Sequence, residues 1–127
     1  MKPHEDWLIK AEHDLKSAKK LFGGDDPIND TALYHTQQCA EKALKAYIAF
    51  NDKPIEKTHD IQLLLELCIE MDEEFDNLYR NGISLNPYST IFRYPGPASE
   101  PDSDDVKNAI EIAEKIMDFV LMKITGL

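Results

Sequence analysis

Arginine is scarce in this chain. Lysine and arginine together number 14, and only Arg80 and Arg93 are arginines. Acidic residues number 24, leaving a formal net charge of −10. Nonspecific grip on a nucleic-acid backbone needs a basic face, so no broad nucleic-acid-binding surface is expected. A small phosphorylated ligand, or RNA held locally by a few cations, stays open. Cysteine is limited to Cys39 and Cys68. Both stand among apolar neighbours at helical positions and read as buried free thiols of a reducing compartment. No cysteine or histidine pair has ligand spacing, so neither a metal site nor a cofactor is expected. No apolar run approaches the roughly 20 residues that cross a bilayer, and Met1 to Asp6 lacks the apolar core of a secretory signal. A cytoplasmic location without membrane contact is the expectation. Gly23-Gly24 is an isolated pair rather than a phosphate-cradling loop. No Gly-x-Ser-x-Gly elbow occurs, and neither cysteine has a basic activating neighbourhood. The acid is concentrated between residues 61 and 80, where six carboxylates face one basic group. A solvated surface accounts for that run.

Helical periodicity dominates what is present. At 127 residues and 43% hydrophobic content, the chain suits one globular domain spanning residues 1–127. Trp7, Leu8, Ala11, Leu15, Ala18, Leu21 and Phe22 form one stripe, which predicts a first helix from about Glu5 to Phe22, closed by Gly23-Gly24. Asn29 or Asp30 can cap a second helix that runs to about Phe50. A third is expected to begin at Thr58 or His59, with Ile61, Leu64, Leu65, Cys68 and Met71 inward. Phe75, Leu78 and Tyr79 continue it or start a fourth, and Asn81-Gly82 closes that section. Pro87, Pro95, Pro97 and Pro101 argue against a long helix between Ser84 and Pro101. Asp102 to Asp105 supplies caps for a last helix, whose buried face runs from Val106 to Ile124. No strand pattern, repeat or low-complexity tract occurs. The fold class is therefore all-α, an up-and-down bundle of four to five helices.

The second helix carries more polar chemistry than packing requires. Tyr34, Gln38, Glu41 and Lys45 lie on one narrow stripe at i, i+4, i+7 and i+11. Leu33, Ala40, Ala43, Leu44 and Tyr47 lie opposite, as a buried face. One reading makes Gln38, Glu41, Lys42 and Lys45, with Tyr34 and His35 nearby, the wall of a cleft. Amides there would recognise base edges, lysine would neutralise phosphate, and tyrosine would stack. The alternative is an ordinary exposed face with a Glu41–Lys45 pair worth only ~0.3 kcal/mol. His59 either fixes the preceding loop or donates to a ligand. Arg93, in Arg93-Tyr94-Pro95-Gly96, sits on a backbone stiffened by Pro95 and Pro97. Its fork can grip a phosphate or carboxylate, or anchor the loop through Glu41 or Asp60. His4, His13 and His35 have no partner at nucleophile or metal spacing and are expected at or near the surface.

Four features recur in one order: Trp7-Leu8 with Ala11-Glu12-His13-Asp14-Leu15, the stretch Tyr34 to Tyr47, Lys57-Thr58-His59-Asp60, and Arg93-Tyr94-Pro95-Gly96. In order, spacing and length the chain resembles the prokaryotic HEPN family of small all-helical domains. The resemblance implies a HEPN-like bundle that often works beside a small nucleotidyltransferase, and that binds a nucleotide or the partner's substrate. Candidate ligand-binding residues are Tyr34, Gln38, Glu41, Lys42, Lys45, His59, Arg93 and Tyr94. Ribonuclease members of the family carry an arginine followed four to six residues later by a histidine. Here no histidine follows His59, so catalysis is not expected and no catalytic residue is assigned. An RNA-cleaving toxin of the toxin–antitoxin kind, pairing Arg93 or Arg80 with His59 or His35 across space, is the alternative. A purely structural interaction domain is the second. Tyr88, Phe92, Tyr94 and part of the last helix leave apolar surface, and a homodimer joining two stripes and two Arg93 loops in one groove is expected.

Overall fold

Helix α1, Pro3–Phe22, begins with proline in its first turn, where the missing N–H costs nothing. It ends where the Gly23 amide bonds to the Lys19 carbonyl, and Gly24 takes the left-handed conformation, with φ of 91°. The computed structural model describes residues 2–96 and 100–126. Pro97, one of the two prolines expected to stiffen the arginine loop, lies outside the described residues.

Helix α2, Asn29–Phe50, has no side-chain cap. The expected capping residues do other work. Asn29 donates from Nδ2 to the Pro101 carbonyl at 3.2 Å, and Asp30 accepts the Thr31 amide at 2.7 Å. Helix α3, Ile61–Met71, starts later than Thr58 or His59, because Asp60 is the capping residue and accepts the Gln62 amide at 2.9 Å. Asn86 Oδ1 accepts the Ile61 amide at 2.7 Å, so a distant segment satisfies a second orphan donor of that helix. A 3₁₀ segment, Glu73–Leu78, leads into the short helix α4, Tyr79–Ile83. Gly82 therefore lies inside a helix instead of closing the section. A Cβ there would stand 2.8 Å from Leu65 Cδ1, so only glycine lets α4 press against α3. A second 3₁₀ turn covers Asn86–Ser89. Helix α5, Ser103–Thr125, opens with a reciprocal capping box between Asp102 and Asp105 and closes at Gly126, with φ of 76°.

All elements among the described residues are helical, and α2 is the central one, packed against α1, α3 and α5. Small residues are fully buried on both helices, Ala11 and Ala18 on α1 and Ala32, Ala40 and Ala43 on α2. At the far end of α2, buried Phe75 fits between Tyr47 and Phe119, with ring centroids 4.4 and 4.9 Å away. Lys123 ties α5 to the first 3₁₀ segment, reaching Asp72 at 2.8 Å and Glu74 at 2.6 Å. These pairs hold the Asp72 carboxyl below its ordinary range, first through the Lys123 hydrogen bond and then through the Glu74 amide.

Candidate functional site

The polar stripe of α2 is not an exposed wall. Gln38, Glu41 and Lys45 are only 7%, 3% and 6% exposed. Trp7 of α1 covers Lys45, whose Nζ stands 5.4 Å from the ring centroid, and the chain leading into α3 covers Glu41. Glu41 is the hub. Its Oε2 accepts from Lys45 Nζ at 3.0 Å, and its Oε1 accepts from His59 Nδ1 at 2.9 Å. The amides of Gln37 and Gln38 approach the same Oε1 at 3.4 Å. Gln38 also donates to Gln37 Oε1 at 2.7 Å, and Gln37 donates to the His59 carbonyl at 2.9 Å. Buried polar groups are tolerated when they satisfy one another, and this network does so while pinning the α2–α3 connection to α2. Its outward end is the imidazole of His59, 74% exposed, over a shallow hollow of about 400 Å³ shared with Asp60, Gln62, Asn86, Pro87 and Ser89.

Lys42 departs from the stripe. It lies two turns beyond His35 on the side of α2 that meets α1, and both reach Asp14. Asp14 accepts from His35 Nδ1 at 2.8 Å through Oδ1 and from Lys42 Nζ at 2.7 Å through Oδ2. His35, which has no partner at nucleophile or metal spacing in the sequence, is half-buried and held by a carboxylate from another helix. That bond leaves Nε2 of the neutral ring as an acceptor.

His35 then opens onto a groove of about 300 Å³. Asp30, Thr31, Tyr34 and His35 of α2 form one side, and Phe92 and Arg93 form the other. The Arg93 guanidinium carbon stands 4.5 Å from the Tyr34 ring centroid and 5.7 Å from that of Tyr94. The loop anchor is therefore a cation–π stack rather than an ion pair with Glu41 or Asp60. Glu41 is saturated by Lys45 and His59, and Asp60 is engaged by Asn86 at 2.8 Å and by the Gln62 amide. Arg93 makes no ion pair among the described residues. Tyr94 is 68% exposed, while Tyr88 and Phe92 are half-buried and stack on each other at 6.1 Å.

The eight sequence-derived candidates thus fall into separate surroundings. Tyr34 and Arg93 line the groove with Tyr94 beside Arg93, Lys42 reaches the Asp14 that holds His35, and buried Gln38, Glu41 and Lys45 form a network whose exposed end is His59. Asp14, Gln37, Asp30, Thr31 and Phe92 were not among the ligand-binding candidates read from the sequence. Asp14 left one readable signal: a carboxylate spaced three residues from Ala11 and four from Ala18, on the face of α1 that the pattern assigns to the core. The two thiols of Cys39 and Cys68 are buried, and burial pushes both up to about 12. No group of three or more His, Cys, Asp or Glu that could hold a metal occurs among the described residues. No helix there is long and apolar enough to cross a membrane.

The family model for the HEPN domain matches residues 4–124, which is nearly the whole chain. This chain belongs to the HEPN family. The crystal structure of ST0689, an archaeal HEPN homologue, superposes with a TM-score of 0.77 at 28% identity, over 98% of this chain and 99% of that one. A Methanocaldococcus jannaschii protein named "Putative toxin MJ1304" is 29% identical over 129 aligned residues, covering 90% of this chain and 83% of the relative. The HEPN bundle accounts for the central α2 and its flanking helices.

Proposed function

We propose that this HEPN chain is a non-catalytic module that binds a nucleotide in the groove between Tyr34 and Arg93, acts as a cytoplasmic homodimer and supports a partner nucleotidyltransferase. The observation that carries the nucleotide reading is the Arg93–Tyr34 stack, 4.5 Å across the groove. A guanidinium held over an aromatic ring by cation–π attraction keeps N–H donors for a phosphate, which arginine favours in bidentate geometry. The exposed Tyr94 ring beside it offers a surface for a base. Isothermal titration with nucleoside triphosphates, on wild type and Arg93→Ala, is the test. Binding by wild type and its loss in the variant are expected, and no heat up to millimolar ligand removes the nucleotide reading.

Support for the dimer comes from apolar groups around the same loop, where Ile91 and Tyr94 are exposed beside the Tyr88–Phe92 stack. Light scattering should give about twice the 14.5 kDa chain mass, and a clean monomer counts against it. Support for a nucleotidyltransferase partner comes from family likeness alone. Co-purification with a nucleotidyltransferase encoded beside the chain is its check.

A second reading is RNA cleavage, as in a toxin. It is favoured by the Asp14–His35 couple, which sets an oriented imidazole in the groove of Arg93 without the sequential family motif. The name of the M. jannaschii relative points the same way. An imidazole and a guanidinium are the groups needed to accept a proton from a 2′-hydroxyl and to stabilise the phosphorane charge. Cleavage of RNA by pure protein, abolished in His35→Ala, would establish it; intact RNA would leave the binding module.

A further inference from the structure

The groove beside Arg93 is not uniformly cationic. Asp30 lines it opposite Arg93 and Phe92, and its two carboxylate oxygens are used unequally. Oδ1 accepts from the Thr31 amide at 2.7 Å and from the Thr31 hydroxyl at 3.3 Å, both local bonds at the start of α2. Oδ2 has no partner among the described residues. A favourable interaction with the helix dipole accounts for an acid in this first turn. It does not account for a carboxylate facing the same 300 Å³ groove as a guanidinium that itself lacks a carboxylate partner.

The two charges define what can sit between them. Inorganic phosphate would gain from Arg93 and lose to Asp30, because a carboxylate offers only acceptors and a negative charge. A ligand that gains from both is anionic at one end and presents hydroxyl donors at the other. Thr31 adds a hydroxyl beside Asp30, and Tyr34 supplies an aromatic face under the cation. We infer that Asp30 selects the ribose of the bound nucleotide, its free carboxylate oxygen accepting from the 2′- and 3′-hydroxyls while Arg93 takes the phosphate. This rests on the nucleotide-binding reading and deepens it to nucleotides whose ribose carries its hydroxyls, as opposed to 2′,3′-dideoxynucleotides.

Titration with ATP and UTP, and with their 2′,3′-dideoxy counterparts, tests the inference on wild type and on Asp30→Asn. Asparagine keeps an oxygen for the Thr31 amide, so the start of α2 is preserved, and circular dichroism monitors this. Hydrogen bonds to a charged acceptor imply that wild type binds the ribonucleotides about tenfold or more tighter than the dideoxy forms. Asp30→Asn should reduce that preference to about threefold or less, since a neutral amide bonds hydroxyls less strongly, while the lost repulsion toward phosphate acts on ribo and dideoxy ligands alike. Equal binding of ribo and dideoxy ligands by wild type overturns ribose selection and leaves nucleotide binding intact. Equal weakening of both ligand types by Asp30→Asn also overturns it, because the carboxylate would then act on the helix or the base. No binding of any of the four ligands overturns both readings together.

Discussion

Replacing Lys45 by methionine isolates the buried Glu41–Lys45 pair, because methionine keeps most of the aliphatic stem beneath Trp7 and removes only the ammonium. Both partners are nearly inaccessible and 3.0 Å apart. At an effective dielectric of 20, Coulomb attraction at that distance is roughly 5 kcal/mol before desolvation is charged against it. Removing one partner of such a pair usually costs about 3–5 kcal/mol, because the other charge stays buried without compensation. Here Glu41 would keep the His59 hydrogen bond and the nearby amides of Gln37 and Gln38, which favours the lower end, about 3 kcal/mol. Losing the cation over Trp7 adds about 0.5–1 kcal/mol. Neutralising both ends in Glu41→Gln/Lys45→Met should recover about 2 kcal/mol of that loss, since no charge is then stranded. Urea unfolding reads this directly as a shift in midpoint at unchanged slope, and thermal unfolding should fall on the order of 10 °C for the single variant. A loss below about 1 kcal/mol in Lys45→Met would mean that water reaches the pair, as an exposed stripe requires. A double variant worse than the single one would equally refute the reasoning.

Asp14→Ala should free His35, and nitrogen-15 spectra should show the neutral ring losing the preference for the Nδ1–H tautomer that a carboxylate acceptor imposes; an unchanged tautomer would mean that Asp14 does not set it. Lys123→Met should destabilise the chain most above the ordinary aspartate value of 3.8, since the depressed Asp72 carboxyl contributes stability there that is lost as pH falls through its folded value. Urea midpoints at pH 6 and pH 3 check this, and an equal loss at both would refute it. Cys39 and Cys68, with thiols pushed to about 12, should resist a thiol reagent at pH 8 until the protein unfolds, and prompt labelling of the native chain would contradict their burial.

Local signals carried the helices, with boundaries close to the observed ones. Apolar spacing from Trp7 to Phe22 and from Val106 to Val120 requires amphipathic helices whatever the partners are. Gly24 and Asp102 mark ends through backbone preference and capping, both of which act within a few residues. The start of α3 was set by its local cap, Asp60, and distant segments added constraints that local signals do not carry. Asn86 supplies a donor's partner at the start of α3, and the need to approach Leu65 makes Gly82 a packing residue.

The chemistry of α2 divides differently. Its sequence by itself determined that Tyr34, Gln38, Glu41 and Lys45 share one side, because the turn per residue is a property of the backbone alone. It did not determine that three of these are buried, since polar side chains at helical spacing read as solvated until something covers them. Trp7 and the His59 connection do the covering. Likewise His35 and Asp14 are 21 residues apart and meet only because α1 and α2 pack together. Arg93 finds Tyr34 only after the loop folds back on α2. Periodicity is local and survives without tertiary contacts. Burial, ion pairing and a shared groove depend on separations that exist only once the helices have packed, and these turned one polar stripe into an internal hub and a separate groove.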